Sequence, residues 1–251
     1  MMRFSPLSRY SSRIILLLAA TLIGASSLPA SDASIGEPKY ATPRFFRYHA
    51  DFLDRATSGP VGVLFLGDSI TAGWARQTEI WEEAWGAYQP ANFGIGGDQT
   101  QHIIWRIEQG ELDKVAPKVV VLMIGTNNIH NFEADDISAA NRKIVAMIHE
   151  KLPETKVLLL AVFPRGPRSN GRGVVEDYEL HMQKINAINA DIAQLDDGDS
   201  IRFLDLGPKF TSADGTIAKA IMPDQLHLSA AGYQIWVEGM KPLLEEMMNE
   251  E

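Results

Sequence analysis

The run Val119-Val120-Val121-Leu122-Met123-Ile124 contains no polar residue and no alternation. A strand with one face in water alternates polar and apolar residues, so a strand that is apolar throughout must be covered on both faces. Val61 to Leu66 and Val157 to Phe163 repeat this pattern, and Ala91-Asn92-Phe93 and Ile201 to Leu206 read as two further short strands. Helical signals lie between them. Trp81, Trp85 and Tyr88 share one face, Asp98 to Gly110 reads as a helix, and Asp135 or Asp136 caps a segment with Ile137, Ile144, Ile148 and Leu152 on one stripe. Met182, Ile185, Ile188, Ile192 and Leu195 mark the next helix, and Ser229 caps a last one burying Tyr233, Trp236, Met240 and Leu243. Strand and helix alternate about five times, which predicts an α/β domain with a parallel sheet of about five strands and helices on both faces.

The 251 residues suffice for one substantial domain. The first thirty read as an address. Arg3, Arg9 and Arg13 precede an aliphatic run from Ile14 to Ile23, and Gly24 to Ala30 are mostly small residues. This is the layout of a secretory signal peptide, with cleavage near Ala30 (Ser27 or Ala33 would also serve), and it predicts a secreted or periplasmic protein. The membrane enters only if this leader stays uncleaved. Residues 31–60 are proline-punctuated and read as a leader and short helix carrying Phe45, Phe46 and Tyr48; residues 61–251 form the main domain. The net charge of -9 argues against nucleic acid as a partner, and the absence of cysteine excludes disulfides, thiolate metal sites and a cysteine nucleophile.

Open parallel sheets place their ligand sites at the carboxyl ends of the strands. There the first strand breaks into Gly67-Asp68-Ser69, the second into Gly94-Ile95-Gly96-Gly97-Asp98 and the third into Gly125-Thr126-Asn127-Asn128. By itself Asp68-Ser69 reads as a helix cap. Before the last helix stands Asp224-Gln225-Leu226-His227, a spacing that lets the Asp224 carboxylate hold one imidazole nitrogen while the other takes a proton from a serine. Ser69, Asp224 and His227 thus supply an activated nucleophile, and the Ser69 amide, the Gly97 amide and the Asn127 side chain are candidate oxyanion donors. No G-x-S-x-G, P-loop or H-E-x-x-H motif occurs.

These four blocks, in this order, resemble those of the SGNH (GDSL-type) hydrolases. Asn92-Phe93-Gly94-Ile95-Gly96-Gly97-Asp98, Trp105-Arg106, Gly110-Glu111-Leu112 and Pro164-Arg165-Gly166 extend the likeness to the catalytic subunits of platelet-activating-factor acetylhydrolase. The resemblance implies a flavodoxin-like three-layer sandwich and ester hydrolysis without cofactor or metal. Ser69 is then nucleophile, His227 base and Asp224 its orienter, with Gly97 and Asn127 completing the oxyanion hole. It also implies a preference for short acyl groups and a homodimer as one assembly. The substrate expected is an acetylated carbohydrate or a phospholipid-like acetyl ester. A long-chain lysophospholipase or thioesterase is the alternative, and a non-catalytic binding module with the same fold a more distant one.

Ile70 follows the nucleophile and Leu226 precedes the base, so both are candidates for closing an acyl pocket to acetyl size; facing the core is the other reading. His49, His102, His149 and His181 lie in or beside predicted helices with no partnered ligand pattern, whereas His130 stands near Asn127 and reads first as a surface or packing residue and second as part of a substrate rim. Arg165, Arg168 and Arg172 read first as a solvated loop and second as receivers of an anionic substrate.

Overall fold

The computed structural model describes residues 32–39, 42–169 and 173–249. The expected signal peptide therefore lies outside the described residues, as does Arg172. Five strands, β1 (Val63–Gly67), β2 (Pro90–Gly94), β3 (Val119–Met123), β4 (Lys156–Leu160) and β5 (Ile201–Leu204), form one parallel sheet in the order β2-β1-β3-β4-β5. The helices are α1 (Pro43–Thr57), α2 (Ser69–Ala72), α3 (Thr78–Trp85), α4 (Thr100–Glu108), α5 (Ala134–Lys151), α6 (Tyr178–Ile192), α7 (Gly207–Phe210) and α8 (Ala230–Asn249). Among the described residues no helix is long and apolar enough to cross a membrane.

The unalternating strands have the predicted consequence. Leu64, Leu66, Val120, Leu122, Val157 and Leu159 face a core shared with α1, α4, α5 and α6. Val63, Phe65, Val119, Val121, Leu158 and Leu160 face a second core shared with α2, α3 and α8. Every position of β1 and β3 is buried, as a three-layer sandwich requires. In the second core Trp74, Trp81 and Trp85 surround Phe65, and Trp236 stacks on Tyr233.

Several local expectations shift. The helix expected over 98–110 begins at Thr100, because Gln99 is its N-cap and receives the capping box from His102. The cap of α5 is Glu133, and Asp136 accepts the Glu133 amide at 3.3 Å from the third position of the helix. Ser229 does cap α8, accepting the Gly232 amide at 3.2 Å, but Leu244 rather than Leu243 is fully buried. The short helix expected in residues 31–60 is a full fifteen-residue helix packed on the first core. Phe45 packs on Trp105, and Phe52 stacks on Phe93 of β2 with ring centroids 4.5 Å apart.

Candidate active site

Parallel strands bring their carboxyl ends to one edge, and register aligns them: Gly67 pairs with Gly94 on one side and Met123 on the other. The last residue of β1 is a glycine because a side chain there would collide with Thr71 Oγ1 and the Met123 carbonyl. Asp68 then caps α2, its Oδ1 accepting the Ile70 amide at 2.9 Å, and Ser69 becomes the first helical residue. The Tyr233 hydroxyl donates to the Ile70 carbonyl at 2.6 Å and ties this turn to α8.

Across this edge the loop before α8 delivers His227. Ser69 Oγ lies 2.9 Å from His227 Nε2, and His227 Nδ1 lies 2.8 Å from Asp224 Oδ2. The other Asp224 oxygen accepts the backbone amides of Leu226 at 3.1 Å and His227 at 2.7 Å, so the aspartate folds the loop and orients the ring together. Burial pushes the Asp224 carboxyl up, but hydrogen bonds from the His227 amide and ring outweigh it and hold the group below its ordinary value. A sharp backbone bend supports this turn. Gln225 adopts φ +64°, its carbonyl accepts the Gly166 amide at 2.9 Å, and its side-chain amide donates to the Ile217 and Met222 carbonyls.

Gly97 follows the second strand with φ +77°, a conformation that glycine adopts without strain. Beside it the Lys39 ammonium donates to the Gly96 carbonyl and stands 3.7 Å from Asp98 Oδ1. Asn127 Nδ2 donates to the Asp98 carbonyl at 2.9 Å and lies 3.4 Å from Asp68 Oδ2, which brings the first, second and third loops together. Burial pushes the Asp68 carboxyl up to about 7, assisted by the nearby Asp98.

Beneath the second loop lies a buried ionic cluster that the sequence reading did not foresee. The fully buried Arg106 guanidinium donates to Asp98 Oδ2 at 2.6 Å, to both Glu111 oxygens and to the Phe93 carbonyl. His49 of α1 adds a contact to Glu111 at 3.1 Å. One guanidinium thus serves two carboxylates. Burial pushes Asp98 up to about 6 against the pull of Arg106. Glu111 is equally buried, but Arg106 and His49 bring it below its ordinary value. His102 accepts the Gln99 amide through Nδ1 at 2.9 Å, and burial depresses it to about 4. Pairing of a helix arginine with a loop aspartate eight residues earlier has no periodic signature. The sequence reading singles out Trp105-Arg106 and Gly110-Glu111 only as part of a family likeness, with no pairing between them.

A cavity of about 600 Å³ opens beside Ser69 and His227. Arg44, Tyr48 and Phe52 of α1 form one wall, and Arg76, Asn92 and Gly96 lie among the other lining residues. Neither Ile70 nor Leu226 lines it. Both side chains are buried in the second core, which corrects their assignment to an acyl pocket. The reason is that α2 and the loop before α8 both pack downward on the sheet, so the residues flanking Ser69 and His227 point into the packing.

One other reading changes, that of the arginine loop. Arg165 is not solvated: it is buried, donates to Glu176 and lies 3.4 Å from the Thr126 carbonyl. Arg168 stands 3.6 Å from Asp224 Oδ2. His130 packs edge-on against His181, with ring centroids 4.7 Å apart. Among the described residues no three His, Asp or Glu side chains converge as a metal site.

The family model of the GDSL-like lipase/acylhydrolase family matches residues 65–235. The alpha1 subunit of platelet-activating factor acetylhydrolase IB from Bos taurus is 34% identical over 223 residues, which span 89% of this chain and 92% of that one. Among solved structures, a GDSL-like lipase from Bacteroides thetaiotaomicron superposes with a TM-score of 0.63 at 20% identity, covering 79% of this chain and 97% of that one. A carbohydrate acetylesterase family member from Sinorhizobium meliloti superposes with a TM-score of 0.58 at 16% identity, covering 75% and 99%. By sequence across most of its length, and by the strand order beneath its site, this chain belongs to the GDSL-like lipase/acylhydrolase family, the SGNH hydrolases, and is an esterase of that family.

Proposed function

We propose that this esterase removes short acyl groups, acetyl first among them, from an acetylated carbohydrate or phospholipid-like ester in an exported compartment. The observation that carries the reading is the continuous hydrogen-bonded line Ser69–His227–Asp224, opening directly on the cavity. His227 Nε2 takes the proton of Ser69 Oγ as that oxygen attacks the ester carbonyl. The charge reaching the carbonyl oxygen is met by the amides of Ser69 and Gly97 and by Asn127. Collapse expels the alcohol, which takes the proton from His227, and leaves the acyl group on Ser69. Water then repeats the cycle, its proton passing to His227 and its oxygen to the acyl carbon; the acyl–Oγ bond breaks, Ser69 Oγ recovers the proton from His227, and the carboxylic acid departs. The acetyl preference is supported by the relatives, one named an acetylhydrolase and one of a carbohydrate acetylesterase family. The exported compartment is supported by the basic-then-aliphatic start of the sequence.

Rates on a panel of esters graded by acyl length and by alcohol test the reading. Acetyl esters should be fastest, one equivalent of an organophosphate should label Ser69, and Ser69→Ala should lower kcat by about a million-fold. Octanoyl esters turned over faster than acetyl esters would install the long-chain alternative. Undiminished hydrolysis by Ser69→Ala would remove the serine mechanism altogether.

A further inference from the structure

We propose that the cavity beside Ser69 is an anion-recognising site for the alcohol portion of the ester, and that the substrate carries a carboxylate or a phosphodiester on that portion. This rests on the esterase reading above and deepens it.

The lining residues make the case. Arg44, Tyr48 and Phe52 follow one another at four-residue steps on α1, so a single helix face forms the wall: a cation, an aromatic hydroxyl and an aromatic ring. Arg76 enters from the turn after α2, in the 3-10 segment Gly73–Arg76. No aspartate or glutamate lines the cavity. In a protein of net charge -9 that combination needs a reason. Arg106, Arg142, Arg165, Arg168 and Arg202 each reach a carboxylate. Among the described residues Arg44, Arg47, Arg55 and Arg76 do not pair with one, and of these four Arg44 and Arg76 line the cavity. Arg44 donates to the neutral Tyr48 hydroxyl at 3.0 Å and lies over its ring, 5.3 Å from the centroid. That contact fixes the guanidinium without neutralising it. Two uncompensated guanidinium groups facing one concave space focus a positive potential there, against the field of the whole molecule.

The remaining lining residues define the rest of the ligand. Asn92 uses its side-chain oxygen to accept the Gly94 amide at 3.0 Å, so its amide hydrogens remain as donors for a hydroxyl. Tyr48 and Phe52 offer ring surface to the apolar face of a sugar or glycerol unit. A volume of about 600 Å³ accommodates a group of that size together with the ester. Arginine forks match carboxylate and phosphate oxygens alike, so both anions fit and the experiment distinguishes them.

The test compares kcat/KM for an O-acetylated methyl glucoside, the matching methyl glucuronide and an acetylated glycerol phosphomethyl ester. The acetate of neutral glycerol methyl ether is the control for the last, and 4-nitrophenyl acetate gives the basal esterase rate. At low salt an anionic ester should exceed its neutral counterpart by about tenfold, the modest gain of two solvent-screened ion pairs. The advantage should shrink as salt screens it. In the double variant Arg44→Gln, Arg76→Gln the ratio of anionic to neutral rates should approach one. Preference for only one anion also supports the proposal and names the source, uronate or phosphodiester. Equal or slower turnover of both anionic esters overturns it, as does a preference that survives both the double variant and high salt. Should no acetyl ester react, 4-nitrophenyl acetate included, the acetylesterase reading fails separately. Calorimetric titration of methyl glucuronide and glycerol phosphomethyl ester against methyl glucoside then decides the subsite: tighter binding of an anion supports it, and equal binding overturns it.

Discussion

Asn127 shows how much one side chain near Ser69 is asked to do. Its amide already donates to the Asp98 carbonyl, and the same nitrogen lies near Asp68, so its position is set by the protein before any substrate arrives. In the mechanism proposed above, a donor fixed in this way acts on charge that is full only in the transition state. Asn127→Ala is therefore expected to lower kcat by roughly 100- to 1,000-fold with KM little changed, as steady-state kinetics would show; a rise in KM alone would make Asn127 a ground-state contact. Ile70 carries the opposite expectation. Buried in the second core beneath Ser69, it should behave as packing, so Ile70→Ala should cost about 2–5 kcal/mol in denaturant unfolding without shifting the acyl-length optimum.

At the scale of elements, Arg106 is the joint between α4, β2 and the second loop, and Glu111 extends it to His49 of α1. Removing its charge leaves two buried carboxylates facing each other. Arg106→Met should destabilise the fold by about 3–5 kcal/mol, and a thermal melt within a degree or two of wild type would contradict the account. Double substitution with Glu111→Gln should recover part of the loss, because it removes one of the orphaned charges. The helix α1 deserves the same accounting. It closes the first core through Phe45 and Phe52 and forms a wall of the cavity, so its residues belong to the working domain.

The whole molecule carries its charge unevenly, and pH should reveal it. Asp68 and Asp98 are buried, and both carboxyls are pushed up, to about 7 and about 6, from an ordinary value of 3.8. Between 3.8 and these values the folded state holds protons that the unfolded chain releases. Their contribution to stability is therefore full below about pH 4 and is lost as pH rises through 6 to 7. Thermal melts from pH 5 to 8 should show this decline superposed on the other titrations. Asp68→Asn should flatten it and raise stability at pH 8, while keeping the oxygen that caps Ile70. An unchanged pH profile in that variant would show that Asp68 is ionised throughout.

Much of this was legible in the chain itself. Short, β-branched apolar runs that end in glycine-bearing turns are read as strands covered on both faces, and their alternation with helical stripes pointed to a parallel sheet whose strand ends gather at one edge. Ser69, Asp224 and His227 could be named because local turns hold them: Asp68 caps its own helix, and Asp224 reaches His227 three residues on. Side-chain direction was not legible where neighbouring positions differ only in which way the backbone turns them. Ile70 and Leu226 adjoin the site in sequence yet point into the core, whereas Arg44 and Tyr48, more than twenty residues before Ser69, line the cavity beside it. Periodicity identifies which face of a segment is buried. Which buried groups meet, and which open face overlooks the serine, depends on packing between distant elements, and only the tertiary structure decided that.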